Sequence, residues 1–266
     1  MRVDCIHLSR FPNDVKDQVL VVSWRDISAT LIWILTSVIL RLICLLLHVG
    51  FAHNLSRWLS RLSTTNRAGT RVWKAAIVAL QYLLDEHGPL KQEYLAKSST
   101  FSCLELGCGL GVPGMILHAF YPDSRIVLTD CAALLPQLQS NLQQNFPSTK
   151  NETDKKPLLT AATLDWDEPD DLQQLLTACH LDSFDVVLNC DCIYEPLYGT
   201  SWKALLQVQV ALLQRQPTAL VLTSLERRKF DGAEKYLEAL REHPVVTKVE
   251  LVHQDDPVEI YRIYGV

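Results

Sequence analysis

The chain has 266 residues, 48% of them hydrophobic and 21% charged, so it can bury one large core plus an extension, and its composition excludes a disordered polypeptide. A formal net charge of -5 excludes nucleic-acid binding through bulk electrostatics. The eight cysteines contain no Cys-x-x-Cys pair and none matched to two closely spaced histidines, which leaves a metal site unsupported and points to reduced thiols in a cytosolic or nuclear compartment.

Residues 1–66 read as an N-terminal extension and 67–266 as a single domain. Within the extension, Ile27 to Phe51 is nearly unbroken apolar sequence, interrupted by Arg41 and His48, and is long enough to span a bilayer as a helix. One arginine in such a span costs roughly 2.5 to 3.5 kcal/mol, which a leucine-rich run can offset, so insertion is allowed and not demanded. If 27–51 inserts, Arg57, Arg61, Arg67 and Arg71 behind it outnumber Lys16 and Arg25 before it, and the domain that follows faces the cytosol. Asp4, Asp14, Asp17 and Asp26 dilute the positive region that a signal peptide needs. A helix buried against the domain, or a segment that the mature protein does not need, remains the alternative.

From Ala68 onward apolar strand-like runs alternate with amphipathic stretches, the pattern of a mostly parallel sheet covered by helices on both faces. A helix is expected over 72–86, then a strand over 101–106 and a helix over 112–121. The next pairs are strand 125–129 with helix 132–145, and strand 158–164 with helix 169–179, separated by a polar loop at 149–156. Strand 184–189 with helix 200–214, and strand 218–223 with helix 231–242, follow. Two last strands, 245–252 and 258–264, bracket Asp255-Asp256-Pro257 as a hairpin closing the sheet. The fold class is therefore α/β, a Rossmann-like seven-stranded sheet ending in an antiparallel hairpin.

The run Cys103-Leu104-Glu105-Leu106-Gly107-Cys108-Gly109-Leu110-Gly111-Val112-Pro113-Gly114 carries the most chemical information. It ends a strand on a carboxylate and turns on glycines into a helix, which lets the backbone approach a nucleoside cofactor closely. Gly109-x-Gly111-x-x-Gly114 also satisfies the dinucleotide fingerprint, with Asp130 near the distance of a ribose-binding acid. The two readings differ in charge. A pyrophosphate at the helix start is repelled by Glu105, whereas S-adenosylmethionine (AdoMet), with its sulfonium and ammonium, is favoured by it.

Four segments together resemble the seven-β-strand AdoMet-dependent methyltransferases, and within them the family 16, lysine-specific protein methyltransferases of the methyltransferase-like 21 type. They are Ala68-Gly69-Thr70-Arg71-Val72-Trp73, the glycine run, Leu164-Asp165-Trp166, and Phe184-Asp185-Val186-Val187-Leu188-Asn189-Cys190-Asp191-Cys192-Ile193-Tyr194. The resemblance covers 68–266, and its most specific element is Asp191-x-x-Tyr194, an acid-x-x-aromatic signature at the end of the fourth strand.

The resemblance implies that Trp73 borders the cofactor and that Gly107, Cys108 and Gly109 hold its methionine part. It also implies that Asp130 takes the ribose, that Asp165 and Trp166 frame the adenine, and that Cys190 touches the cofactor. Asp191 and Tyr194 are then the catalytic pair on the acceptor side. The implied partner is a protein with a target lysine, a cytosolic one such as a translation factor or chaperone. A small-molecule or protein-histidine methyltransferase would share the same cofactor site. A nicotinamide-dependent oxidoreductase and an inactive binding module stand outside that class. The apolar 27–51 segment departs from the family, whose members usually have a strand-rich region there.

Overall fold

The computed structural model describes residues 72–96, 98, 100–146 and 157–266. The expected extension over 1–66, with its apolar 27–51 segment, and the 149–156 loop lie outside the described residues. Among the described residues no helix is long and apolar enough to cross a membrane.

Seven strands form one sheet: β1 (Ser102–Leu106), β2 (Arg125–Asp130), β3 (Leu159–Thr163), β4 (Val186–Cys190), β5 (Leu220–Glu226), β6 (Val246–Asp255) and β7 (Val258–Gly265). Their spatial order is β3-β2-β1-β4-β5-β7-β6. The first five are parallel, and β7 enters antiparallel between β5 and β6. The last hairpin thus folds back on itself. Burial explains which arm lies inside: β7 carries Val258, Ile260, Tyr261 and Ile263 into the core, while β6 buries Val246 at its start and is otherwise partly or fully exposed. An outer strand with two register shifts is a poor template for further pairing.

The helices are α1 (Lys74–Leu84), α2 (Val112–Phe120), α3 (Leu135–Asn145), α4 (Asp171–Cys179), α5 (Glu195–Tyr198), α6 (Trp202–Arg215) and α7 (Ala233–Glu242). Strand alternation sorts them onto two faces. Leu104, Leu106, Val127, Val187, Val221 and Ile263 share one core cluster with residues of α4, α6 and α7. The apolar stripe Ala233, Tyr236, Leu237 and Leu240 of α7 has the 3.6-residue repeat that this packing requires. Residues of opposite parity meet α1, α2 and α3. Gly114 of α2 abuts Ile126 and Leu128, Leu138 of α3 approaches Gly111 beside Leu128, and Ser224 Oγ donates to Ala75 O of α1 at 2.8 Å.

Two elements escape the periodicity. Leu90–Leu95 is a π-helix with one buried residue, Leu90, and is tied to the turn leading into β5 by Tyr94, whose hydroxyl donates to Thr218 O at 2.8 Å. The single turn α5 buries none of its residues. Neither presents an apolar stripe for the sequence to reveal.

Candidate active site

The crevice of an open α/β sheet lies at the carboxyl ends of its strands, where the chain leaves neighbouring strands in opposite directions. Here that point is between β1 and β4. A cavity of about 320 Å³ opens there, walled by residues that follow β1, β2, β3 and β4 and by the start of α1.

The β1 wall is the glycine loop. Gly107, Gly109 and Gly111 all have positive φ, and at Gly107 a Cβ would come within 2.7 Å of Cys192 Sγ and 3.0 Å of the Trp166 ring. Any side chain at Gly107 would therefore push the β3 and β4 walls away. Asp130, at the end of β2, ties this loop down: one carboxylate oxygen accepts from Gly109 N at 2.7 Å and the other from Cys131 N at 2.8 Å.

Glu105 lies under the loop and is 2% exposed. It accepts from Gly114 N, one of the free amides at the start of α2, at 2.8 Å. Desolvation lifts its carboxyl from 4.5 to about 8; the Gly114 amide opposes the rise and the charge of Asp130 adds to it. A cation arriving in the cavity would return this group to its ionised form.

The β3 wall is Leu164, Asp165 and Trp166. Trp166 lines the cavity, and its Nε1 is buried with no hydrogen-bond partner in the protein. β4 ends on Cys190 and is followed by Asp191 and Cys192; burial pushes the thiols of Cys190 and Cys192 well above their usual range, and Cys192 donates to the carbonyls of Leu106 and Gly107 at 3.4 and 3.7 Å. Trp73 closes the cavity from the residue just before α1.

Every sequence-predicted site residue except Tyr194 lines this one cavity: Trp73, Glu105, Gly107, Cys108, Gly109, Asp130, Asp165, Trp166, Cys190 and Asp191. Tyr194 precedes α5, and its ring packs against the guanidinium of Arg228, with 5.1 Å from Cζ to the ring centroid. Asp191 is 4% exposed, at φ 58, a backbone conformation that a non-glycine residue holds only when its surroundings over-determine it. Those surroundings are visible. Arg228 donates to both Asp191 oxygens, at 3.0 and 2.6 Å, and Glu226 N donates to one of them at 3.2 Å.

The sequence reading missed Cys192, Tyr198 and Arg228. Cys192 and Tyr198 were discoverable, since one lies inside the Asp191-x-x-Tyr194 signature and the other four residues beyond it. Arg228 was not, because it arrives from the loop after β5 and nothing in its sequence neighbourhood connects it with Asp191.

The charge of the cavity selects its ligand. Glu105, Asp130, Asp165, Asp167 and Asp191 line it, with no lysine or arginine among the described lining residues. A dinucleotide pyrophosphate would meet four aspartates and no side-chain cation among the described lining residues, whereas a cofactor with a sulfonium and an ammonium meets complementary charge and favours the ionised form of Glu105. The positive-φ glycine loop and the Trp166 ring, both lining the cavity, fit a nucleoside cofactor lying over the loop. Fold and site together define an AdoMet-dependent methyltransferase.

Comparison with known proteins agrees. The lysine methyltransferase model of methyltransferase family 16 matches residues 59–243, and the chain belongs to that family. AdoMet is accordingly the cofactor, and the nicotinamide alternative falls. A protein from Plasmopara viticola named secreted RxLR effector protein 48 is 33% identical over 159 residues, 58% of this chain and 80% of that protein. A putative uncharacterized protein of Dictyostelium discoideum is 26% identical over 175 residues, 60% of this chain and 45% of its own length. Among solved structures, human methyltransferase-like protein 13 in complex with SAH shares 18% identity at a TM-score of 0.48, over 72% of this chain and 81% of that one. The precorrin-6y C5,15-methyltransferase of Geobacter metallireducens shares 14% at a TM-score of 0.49, over 78% and 95%.

Proposed function

We propose that the protein transfers a methyl group from AdoMet to the side-chain nitrogen of a lysine in a protein substrate. The observation that carries this reading is the rim of the cavity, where the guanidinium of Arg228 is held between the buried carboxylate of Asp191 and the aromatic rings of Trp73 and Tyr194, so that the site already accommodates a cation. A carboxylate with aromatic faces suits a cationic alkylamine.

When bound, AdoMet supplies a methyl group already activated on a sulfonium, so the protein's task is chiefly positioning. Asp130 offers polar contacts and Trp166 a ring face for the purine, while Glu105 supplies negative charge beneath the glycine loop once ionised. A lysine attacks only as the neutral amine, so the ammonium must first lose a proton. Asp191 is the cavity carboxylate placed to hold that ammonium or to receive its proton, and Tyr194 orients the entering chain. A cytosolic protein such as a translation factor or chaperone is the proposed substrate class.

Incubation with labelled AdoMet and a cell extract, followed by identification of the labelled residue, tests this reading. Label on a lysine supports it; label on a histidine, or on a small molecule alone, refutes the lysine assignment. With the substrate in hand, Asp191→Ala should reduce turnover by roughly 100-fold or more, and Tyr194→Phe by less, both with little change in AdoMet affinity. Undiminished turnover by folded Asp191→Ala would make Asp191 a structural strand-end residue.

A further inference from the structure

The loop after β5 runs Arg227, Arg228, Lys229, Phe230, Asp231, and its two arginines are held very differently. Arg227 is a fixed strut. Its guanidinium reaches Asp231, Glu234 and Glu259 at 3.0, 2.8 and 2.8 Å, and Asp231 also accepts from Arg228 N and Ala233 N. Arg228 instead sends its side chain to the rim of the cavity. Its guanidinium carbon lies 5.2 Å from the Trp73 ring centroid and 5.1 Å from that of Tyr194, and its nitrogens bond Asp191 and Glu226.

These four groups form a box for a cation: two aromatic rings, and two carboxylates whose side chains are 2% and 25% exposed. Trp73 and Asp191 also line the cofactor cavity, which Arg228 does not. The box and the cavity therefore share two walls. Arg228 is 21% exposed, so its guanidinium has a route to solvent, while the anchored Arg227 and Asp231 hold the loop backbone in place.

We propose that this box is the seat of the acceptor's cationic side chain and that Arg228 is its resident occupant, which the substrate lysine must displace. The proposal rests on the lysine-methyltransferase reading for the identity of that cation. The exchange is chemically balanced. One monovalent cation replaces another, so Asp191 and Glu226 keep the countercharge that a buried carboxylate requires. A neutral or anionic acceptor would leave both carboxylates unpaired, so the seat selects cations by negative as well as positive means. Arg228 thus lowers affinity for any acceptor by the fraction of time that it fills the seat, and holds the strained Asp191 in place meanwhile.

The test measures binding of Nα-acetyl-lysine amide to the full chain in the presence of S-adenosylhomocysteine, by calorimetry or NMR titration. Arg228→Gln should bind the probe on the order of tenfold more tightly than the unaltered protein. Arg228→Lys, which keeps a charge but cannot fork onto both Asp191 oxygens, should show a smaller gain. It also carries the test if thermal unfolding shows that the Gln variant does not fold. Equal or weaker probe binding by the folded variants would overturn the proposal and make Arg228 a fixed wall of the site. The same holds for tighter binding that survives Asp191→Asn. Since the binding arm needs no protein substrate, it separates the two readings: label on a histidine with tighter lysine binding by Arg228→Gln sinks the lysine assignment alone. Label on a lysine with no gain in probe binding sinks the seat alone.

Discussion

Glu105→Gln is the most informative perturbation, because one buried carboxyl links stability, pH and cofactor binding. Gln keeps the shape and an oxygen for Gly114 N, and removes only the charge. Burial raises the Glu105 carboxyl in the native protein from 4.5 to about 8. The unfolded chain thus releases this proton first, and the native state is penalised as pH rises from 4.5 through 8. At about 1.4 kcal/mol per pH unit, the ligand-free protein should lose about 3 kcal/mol between pH 5 and 7.5 through this group alone. Glu105→Gln should not. Denaturant unfolding of both proteins at the two pH values measures the difference, which should grow by about 3 kcal/mol in favour of Gln. AdoMet binding should behave oppositely. The cation favours ionised Glu105, so binding below pH 8 expels a proton, and affinity should rise with pH by up to roughly tenfold per unit until it levels off near 8. Calorimetry in buffers of different ionisation enthalpy reads that proton directly. The Gln variant should bind AdoMet more weakly at pH 8 and release no proton from this site. Parallel pH profiles of stability for the two proteins, with equal AdoMet affinity, would refute the claim that Glu105 is a buried, cation-matched charge.

Asp130→Ala should weaken AdoMet by about 1.5 to 3 kcal/mol, since it removes charge-assisted acceptors and also frees Gly109 N from its 2.7 Å anchor; calorimetry showing unchanged affinity would remove Asp130 from the cofactor site. On the α6 and α7 face, Tyr236 Oη donates to Gln209 Oε1 at 2.6 Å and shares a 2.9 Å bond with Thr223 Oγ1. Tyr236→Phe strands a buried amide oxygen and should cost about 1 to 3 kcal/mol in denaturant unfolding. AdoMet affinity should stay as it was, because this network lies on the face away from α2 and the glycine loop; a large loss of affinity would show that the two faces are coupled.

Much of this protein is legible in its sequence because the underlying forces are local. The unbroken apolar run of Ile126, Val127 and Leu128, or the stripe of Ala233, Tyr236, Leu237 and Leu240, states which residues must leave water, and so gives the elements and their types. The glycine loop and Asp130 were read the same way, since close backbone approach and a strand-end carboxylate are written in consecutive residues, whereas Trp166 came from the resemblance to the family. The π-helix at Leu90–Leu95 and the turn α5 were not, as neither has an apolar stripe. Only tertiary structure could decide what depends on distance between remote segments. It placed β7 inside β6, because the more apolar arm of the hairpin takes the buried position. It raised the Glu105 carboxyl through desolvation that no local sequence specifies. It also brought Arg228, from 37 residues away, onto Asp191. A pairing at that separation follows from the order in which the sheet sets β4 beside β5, and from no pattern in either segment.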